Sequence, residues 1–400
     1  MDGSDWMKYE LRNFPLKRKE FDEKMSFAEK NLFSLGLKDV AEEIGRENAK
    51  WFIANIHSIQ EKLGYEKQTM VVGAPGFTFQ TSSDKFRRGI PEGARFTWGD
   101  NTYDFIPADL DIDFCGMLVG MVEDDLSLER ILNVLYEMRE KKYEIDNIEI
   151  ERSYFWPGSH FLKVYDVKNY KALDLPKNVA VLHTSSNKMR NQLKDLVRER
   201  AEEIETSFGI TRVFRGKDAK KYEKYCKYAS DFSKRKRQIL FEEIFDGEII
   251  ANHNHCDLKG LNEAIIGCDV VDEGEISVIS LTNRAYLVKG KKNLSSEKIE
   301  ECFGSRSIEE WAHNYLLNLN MVSHGGGHEL PGVDRLEKVI FFPEGRIFVL
   351  KCGSSTDVYE DLWNFPRGYR VEGILERIQS LGLASHYATL QLNYTIKVDF

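Results

Sequence analysis

The chain has no CxxC pair. Its six cysteines, Cys115, Cys226, Cys256, Cys268, Cys302 and Cys352, lie singly and far apart. That spacing excludes a local zinc ribbon and a small disulfide-stapled scaffold. No apolar run approaches the ~18 residues of a membrane helix, so no membrane contact is expected. The opening "MDGSDWMKYELRNF" has neither the basic-then-apolar plan of a signal peptide nor the composition of a transit peptide, and a cytoplasmic location is expected. Positive charge is also short: 56 Lys and Arg against 65 Asp and Glu leave a formal net charge of −9. An acidic chain is not a general polyanion binder, so any nucleic-acid contact must come from a local basic patch. Internal repeats and low-complexity segments are absent too.

The 400 residues are 42% hydrophobic, enough for a large core. Residues 16–66 place apolar side chains at three- and four-residue spacing, which predicts helices broken at Gly36 and Gly45. From about Thr69 the pattern turns to short strand-like runs such as "TMVVGA" and "RFTW". "LSLERILNVLYEMREKK" (126–142) reads as a helix. "KNVAVLHTSS" (177–186) reads as a buried strand, followed by a helix over "NKMRNQLKDLVRERAEEIETSFG". "EISVISLTNRAYLVKG" and "KVIFFPEGRIFVLKCG" are strand-rich. The order predicts a mixed α/β (α+β) fold without a regular βαβ repeat. A helical N-terminal region is expected over 1–95 and a core over 96–400.

One segment supplies the missing positive charge. "RVFRGKDAKKYEKYCKYASDFSKRKRQ" (212–238) is strongly basic, and Tyr222, Tyr225 and Tyr228 recur every third residue; a helical segment is expected over 212–245. A buried aromatic stripe with a solvated basic face explains the pattern. The functional alternative is a track for single-stranded RNA or DNA, whose phosphates meet cations and whose bases meet rings.

Histidines cluster in suggestive contexts. "MVSHGGGHELPG" (321–332) encloses Gly325, Gly326 and Gly327 between His324 and His328. Such a run costs roughly 0.5–1 kcal/mol per residue against alanine in a regular element. A tight turn explains it, or backbone amides approaching a phosphate too closely for any Cβ. Four other runs end in metal-type donors. "IPADLDIDFCGM" carries Asp109, Asp111, Asp113 and Cys115, and alternation would put Asp111, Asp113 and Cys115 on one strand face. "WPGSHFLKV" carries His160, "VAVLHTSS" carries His183, and "IIANHNHCDL" carries His253, His255 and Cys256. Each histidine alone is more often structural. Together, thiolate, imidazole and carboxylate suit zinc, manganese, iron or cobalt, not magnesium alone.

These segments resemble, in the same order, motifs of the RtcB-type tRNA-splicing RNA ligases. The quoted runs "IPADLDIDFCGM", "GSHFLKV", "VAVLHTSS", "KRKRQILFEEIF", "NHN" and "SHGGGH" carry the likeness, with "LQLNYTIKVDF" resembling the family's lysine-bearing end. It covers roughly residues 96–400. The resemblance implies a GTP-dependent RNA ligase with two manganese ions, joining 3′-phosphate or 2′,3′-cyclic phosphate ends to 5′-hydroxyl ends of tRNA halves or broken RNA. It implies His324 as the nucleophile that takes GMP. It implies Cys115, His160, His183 and His253 as metal ligands, with Asp113 or Asp111 as the carboxylate. Gly325, Gly326, Gly327, Asn254, Ser159 and Lys397 are implied nucleotide contacts. An activating protein and the oligomeric state stay open.

The departures fall on substrate contacts. Ser159 stands where the family has Asn, Asn187 closes a segment that has lost a glycine and an arginine, and His328 stands for an arginine. "SLTNRA" around Arg284 and "FGSRS" (303–307) are poor counterparts of two further family segments. Two other readings therefore stand beside ligation: a metal-dependent phosphoesterase or nucleotidyl-transfer enzyme with a changed acceptor, and a non-catalytic RNA-binding homologue. "HNH" at 253–255 is not read as a nuclease motif, because that label describes dispersed residues. On this reading His255 and Cys256 support the ligands.

Overall fold

The computed structural model describes residues 8–122, 127–151, 155, 159–168, 177–304, 307–363 and 365–398. Trp156, Pro157 and Gly158 of the His160 run, and part of the "FGSRS" segment, lie outside them.

The expected mixed α/β architecture is what the chain adopts. Its centre is a seven-stranded sheet in the order Ile249–Asn254, Gly116–Val122, Asn178–Thr184, Phe161–Lys168, Ala384–Ile396, Arg284–Gly290, Ile276–Ser280. Every pairing in it is antiparallel. The sheet curls until its two edges meet, where His253 Nε2 donates to the Ile276 carbonyl at 2.9 Å. A nearly closed barrel of this kind hides most of its edge polar groups. Alternate residues Val179 and Val181 are fully buried, and so are Ala180 and Leu182. The strand is covered on both faces, as its unbroken apolar run predicted.

A second sheet runs Cys256–Gly260, Glu263–Ile266, Glu92–Thr97, Met70–Thr78, Leu32–Ser34. Its strands come from both sides of the division expected at residue 95, which falls inside Glu92–Thr97. Tyr9–Leu11 likewise pairs, in parallel, with Arg335–Phe342. The N-terminal segment is thus woven into the core. Around it Tyr9, Phe14, Phe21, Trp51 and Phe341 form a cluster of edge-to-face and stacked rings, with Phe21 and Phe341 centroids 4.8 Å apart.

Two helix expectations change. Val40–Leu63 is unbroken at Gly45. A Cβ there would come within 2.8 Å of the Thr78 backbone, so this glycine permits close packing on the Met70–Thr78 strand and is no breaker. The helix is capped by the Asp39 side chain at its start and by left-handed Gly64 at its end. The helix after His183 stops at Arg200, and Glu202–Thr206 is a strand paired with Gly209–Arg215. Pairing overrides a weak helical preference there.

The long helix Gly216–Ile244 buries Ala219, Tyr222, Cys226, Ala229, Ser233, Arg237 and Leu240. Tyr222 stacks on Phe214 with centroids 4.4 Å apart, and Tyr225 and Tyr228 are half-buried. The tyrosine stripe is packing, and Lys217, Lys220, Lys221, Lys224 and Lys227 form the exposed face. The same helix carries Lys236 and Arg237 beneath the strand ends that hold the histidines.

Candidate metal centre

The "DLDIDFC" segment is not the alternating strand expected. After Pro107 the chain makes a short 3-10 turn, and Asp111 and Phe114 then adopt left-handed backbone, φ 47° and 57°. Left-handed non-glycine residues cost of order 1–3 kcal/mol each and persist only when their surroundings hold them. Here Phe114 is fully buried and Asp111 is gripped by Arg190, Nη2 to Oδ2 2.5 Å. The two kinks separate the aspartates. Asp111 turns to Arg190, while Asp113 turns inward and accepts the Cys115 amide at 3.1 Å. Asp113 and Cys115 line one cavity, and Asp111 does not line it.

The Cys115 carbonyl accepts two amides, from His255 at 2.9 Å and Cys256 at 3.2 Å. This interrupts the strand after Asn254 and re-aims the next side chain. His253 points to the barrel seam and Ile276; His255 is buried. The imidazole that joins the cluster is therefore His255 and not His253. Nothing in the letters "HNHC" signals the interruption.

Three donor atoms converge. His183 Nε2 lies 2.9 Å from Cys115 Sγ and 3.1 Å from His255 Nε2. Cys115, His183 and His255 offer ligand atoms all within 4.8 Å of one another, and all three residues are buried. His183 Nδ1 lies 2.8 Å from the Ser159 carbonyl. A carbonyl only accepts, so Nδ1 carries the proton and Nε2 keeps its lone pair toward the cluster, the outer-partner arrangement typical of metal-binding histidines. Ser159 thus acts through its backbone. His160 stays beside the cluster, its ring edge-on to His183 at 5.7 Å and its Nε2 3.2 Å from Ser185 Oγ. The Nδ1 atoms of His160 and His255 are buried with no hydrogen-bond partner among the described residues. Orphaned polar atoms are rare in cores. One thiol and two imidazoles converging in a buried site fit a transition metal.

His324 lines the same cavity. Its ring stacks on His255, centroids 4.2 Å apart, and Nδ1 donates to the Gly267 carbonyl at 2.5 Å. Backbone bonds link the two sites: Cys115 O takes His255 N–H, and His255 O takes Gly267 N–H at 2.6 Å. The glycines behind His324 are explained by protein contacts. A Cβ on Gly325 would meet Tyr369 Oη at 1.9 Å, one on Gly326 the Arg370 carbonyl at 1.9 Å, and one on Gly327 (φ 72°) the Gly76 carbonyl at 2.3 Å. The Gly326 amide already donates to Tyr369 Oη at 3.0 Å. Of the three, only Gly327 lines the cavity.

Asn254 is also spent elsewhere. Its carbonyl accepts from Arg237, and its amide donates to Ser230 Oγ at 2.8 Å and the Ser230 carbonyl at 3.1 Å. Lys397 does line the cavity, together with Lys85, Lys163 and Arg190, residues the sequence did not single out. Against these cations stand Glu92 and Asp113. The space measures about 670 Å³.

Burial, aided by the Asp113 charge, pushes the Cys115 thiol well above its usual range. Burial and neighbouring imidazoles hold His183 and His255 neutral, well below theirs. For Asp113 burial opposes ionisation, but the Lys85 ammonium, the Cys256 and Cys115 hydrogen bonds and Arg190 together outweigh it and keep the carboxyl low. Burial also lowers Lys163 to about 8, with Lys397 adding repulsion.

Two outcomes follow. Cys115→Ala and His255→Ala are expected to abolish stoichiometric zinc or cobalt binding, whereas His253→Ala leaves metal content unchanged; elemental analysis after dialysis reads the difference. Secondly, burial holds His57, His160 and His328 at about 4 instead of 6.5. The unfolded chain takes up these protons between 6.5 and 4 and the folded chain does not, so stability is full above that window and falls as pH drops through it. Thermal melts of the metal-free protein from pH 7 to 4.5 should show a falling Tm, blunted in His57→Gln.

The sequence matches no protein-family model and no curated protein, so the geometry of these residues carries the functional argument.

Proposed function

We propose that the protein is a GTP- and manganese-dependent RNA ligase, a diverged relative of the RtcB-type enzymes, acting in RNA splicing or repair. The observation that supports this most is the placement of His324: stacked on a member of the Cys115–His183–His255 cluster, with Nδ1 committed to Gly267. That commitment leaves Nε2 as the nucleophilic nitrogen. The Gly267 carbonyl also stabilises the ring as positive charge develops on it.

On this reading His324 Nε2 attacks the α-phosphorus of GTP. A P–N bond forms, the bond to the bridging oxygen breaks, and pyrophosphate leaves. An oxygen of the RNA 3′-phosphate then attacks that phosphorus, the P–N bond breaks, and His324 is restored. The 5′-hydroxyl attacks the activated 3′-phosphorus, loses its proton and displaces GMP. A 2′,3′-cyclic end first takes up water. Cys115, His183 and His255 would hold a divalent cation, with Asp113 adjoining, and such a cation supplies Lewis acidity to phosphate oxygens. Lys85, Lys163, Arg190 and Lys397 give the cavity the excess positive charge that a triphosphate calls for. Its volume falls within the roughly 300–1,000 Å³ of small-molecule sites.

One observation favours a second reading. The Gly326 amide and the Asn254 amide, both expected at the nucleotide, are already bonded within the protein. A metal-dependent phosphoesterase or nucleotidyl-transfer enzyme with another acceptor would not need them.

Incubation with α-³²P-GTP and manganese, followed by denaturing electrophoresis, separates the readings. The ligase reading expects acid-labile, alkali-stable label on the wild type and none on His324→Ala. Absence of label with manganese, cobalt, zinc and nickel, alongside metal-dependent hydrolysis of a phosphate ester, would replace it with the second reading.

A further inference from the structure

Beside the metal cavity lies a groove of about 250 Å³. Lys85, Arg88, Lys194, Arg198 and Arg212 line it, against the carboxylates Asp84, Asp109 and Asp111. In a chain of net charge −9 this is a concentrated reversal of sign. It is also built, because one buried and one partly buried carboxylate fix its cations. Asp109, 6% exposed, accepts the Arg212 guanidinium at 2.7 Å and is also paired with Arg88. Asp111 takes Arg190 at 2.5 Å and lies 3.9 Å from Lys194. Asp109 and Asp111 each serve two cations, so each of these two groups keeps a positive charge to spare.

Lys85 joins the two spaces. It lines both the groove and the metal cavity, is 6% exposed, and its ammonium has no hydrogen bond or ion pair among the described residues. Arg190 lines the metal cavity while its partner Asp111 lines the groove. The two spaces share this wall. Burial opposes the charge of Lys85, the nearby Cys256, Asp113, Asp111 and Glu92 groups sustain it, and its N–H donors, none hydrogen-bonded among the described residues, are open to a bound anion.

We propose that the groove, with Lys85 at its inner end, binds consecutive phosphodiesters of a single-stranded RNA and so holds the strand whose end lies at the metal cluster. The inference rests on the RNA-ligase reading for the identity of the polyanion. It moves the RNA path away from the lysine face of the Gly216–Ile244 helix: Lys220 and Lys224 line neither space. The groove cations come from three segments, the Ser83–Arg87 helix and its end, the Asn187–Arg200 helix, and the Gly209–Arg215 strand. Lys194 and Arg198, one helical turn apart, present two charges on one face.

The test is fluorescence anisotropy of a labelled twelve-nucleotide RNA ending in a 3′-phosphate, titrated with the full-length protein at several salt concentrations. Lys194 and Arg198 are 53% and 74% exposed, so Lys194→Glu/Arg198→Glu should fold normally. This pair is expected to weaken binding by at least about tenfold and to flatten the salt slope by about 1.4, roughly 0.7 for each lost phosphate contact. Lys85→Met should weaken binding with metal content unchanged. Lys220→Glu/Lys224→Glu should bind like the wild type. Wild-type binding that the groove pair leaves within twofold, or that the helix pair weakens as much, would overturn the groove assignment and leave the ligase reading standing. A wild type that does not bind RNA at all would overturn both.

Discussion

The Cys115 carbonyl oxygen is the constraint on which the site depends. It accepts the amides of His255 and Cys256, where a regular ladder would supply one. At that point the chain leaves the barrel, to which Ile249–Asn254 belongs, and enters the second sheet as Cys256–Gly260. His255 is the joint between the two sheets. Its amide is tied to Cys115 and its carbonyl to Gly267, and Gly267 in turn holds His324. A donor cluster and a candidate nucleophile are thus fixed to one another through three hydrogen bonds on the backbone of Cys115, His255 and Gly267, with little conformational freedom left to lose when a substrate binds.

A buried cation locks the same strand ends from below. Arg237, 0% exposed, donates to the Thr184 carbonyl at 3.0 Å, to Asn252 Oδ1 at 2.8 Å and to Asn254. It spans the ends of the strands that bring His183 and His255. Lys236 beside it bonds Glu151 at 2.9 Å and the Ser185 carbonyl at 2.8 Å. Burial lowers the Arg237 guanidinium to about 10, while the nearby Cys115 sulfur favours its charge. Burying such a cation is costly unless its partners are fully in place. Here that cost brings order to the strand ends, and it supplies a countercharge for the sulfur in its ionised, metal-binding form.

The sequence disclosed much of this and hid the rest for definable reasons. The runs "VAVLH" and "AYLV" are apolar enough to specify buried strands, and the donors Cys115, His183 and His324 stood out at the ends of such runs. His255 did not, because a two-amide interruption leaves no compositional trace and the regular alternation of the strand favours neither histidine. Asp111 and Asp113 looked equivalent until two left-handed residues sent them opposite ways. Gly45 and the run Gly325–Gly327 share another lesson. A glycine demanded by a neighbouring backbone looks, in one dimension, like a breaker or a phosphate loop. Lys85 was invisible because nothing in "SSDKFRR" shows that its ammonium is buried between two cavities, without a hydrogen bond among the described residues.

X-ray absorption at the metal edge of the zinc-loaded protein reads the donor set of the Cys115–His183–His255 cluster itself. One sulfur at about 2.3 Å and two imidazole nitrogens at about 2.0–2.1 Å are expected, with the sulfur lost in Cys115→Ser. A shell of nitrogen and oxygen alone, unchanged by that substitution, would contradict that donor set.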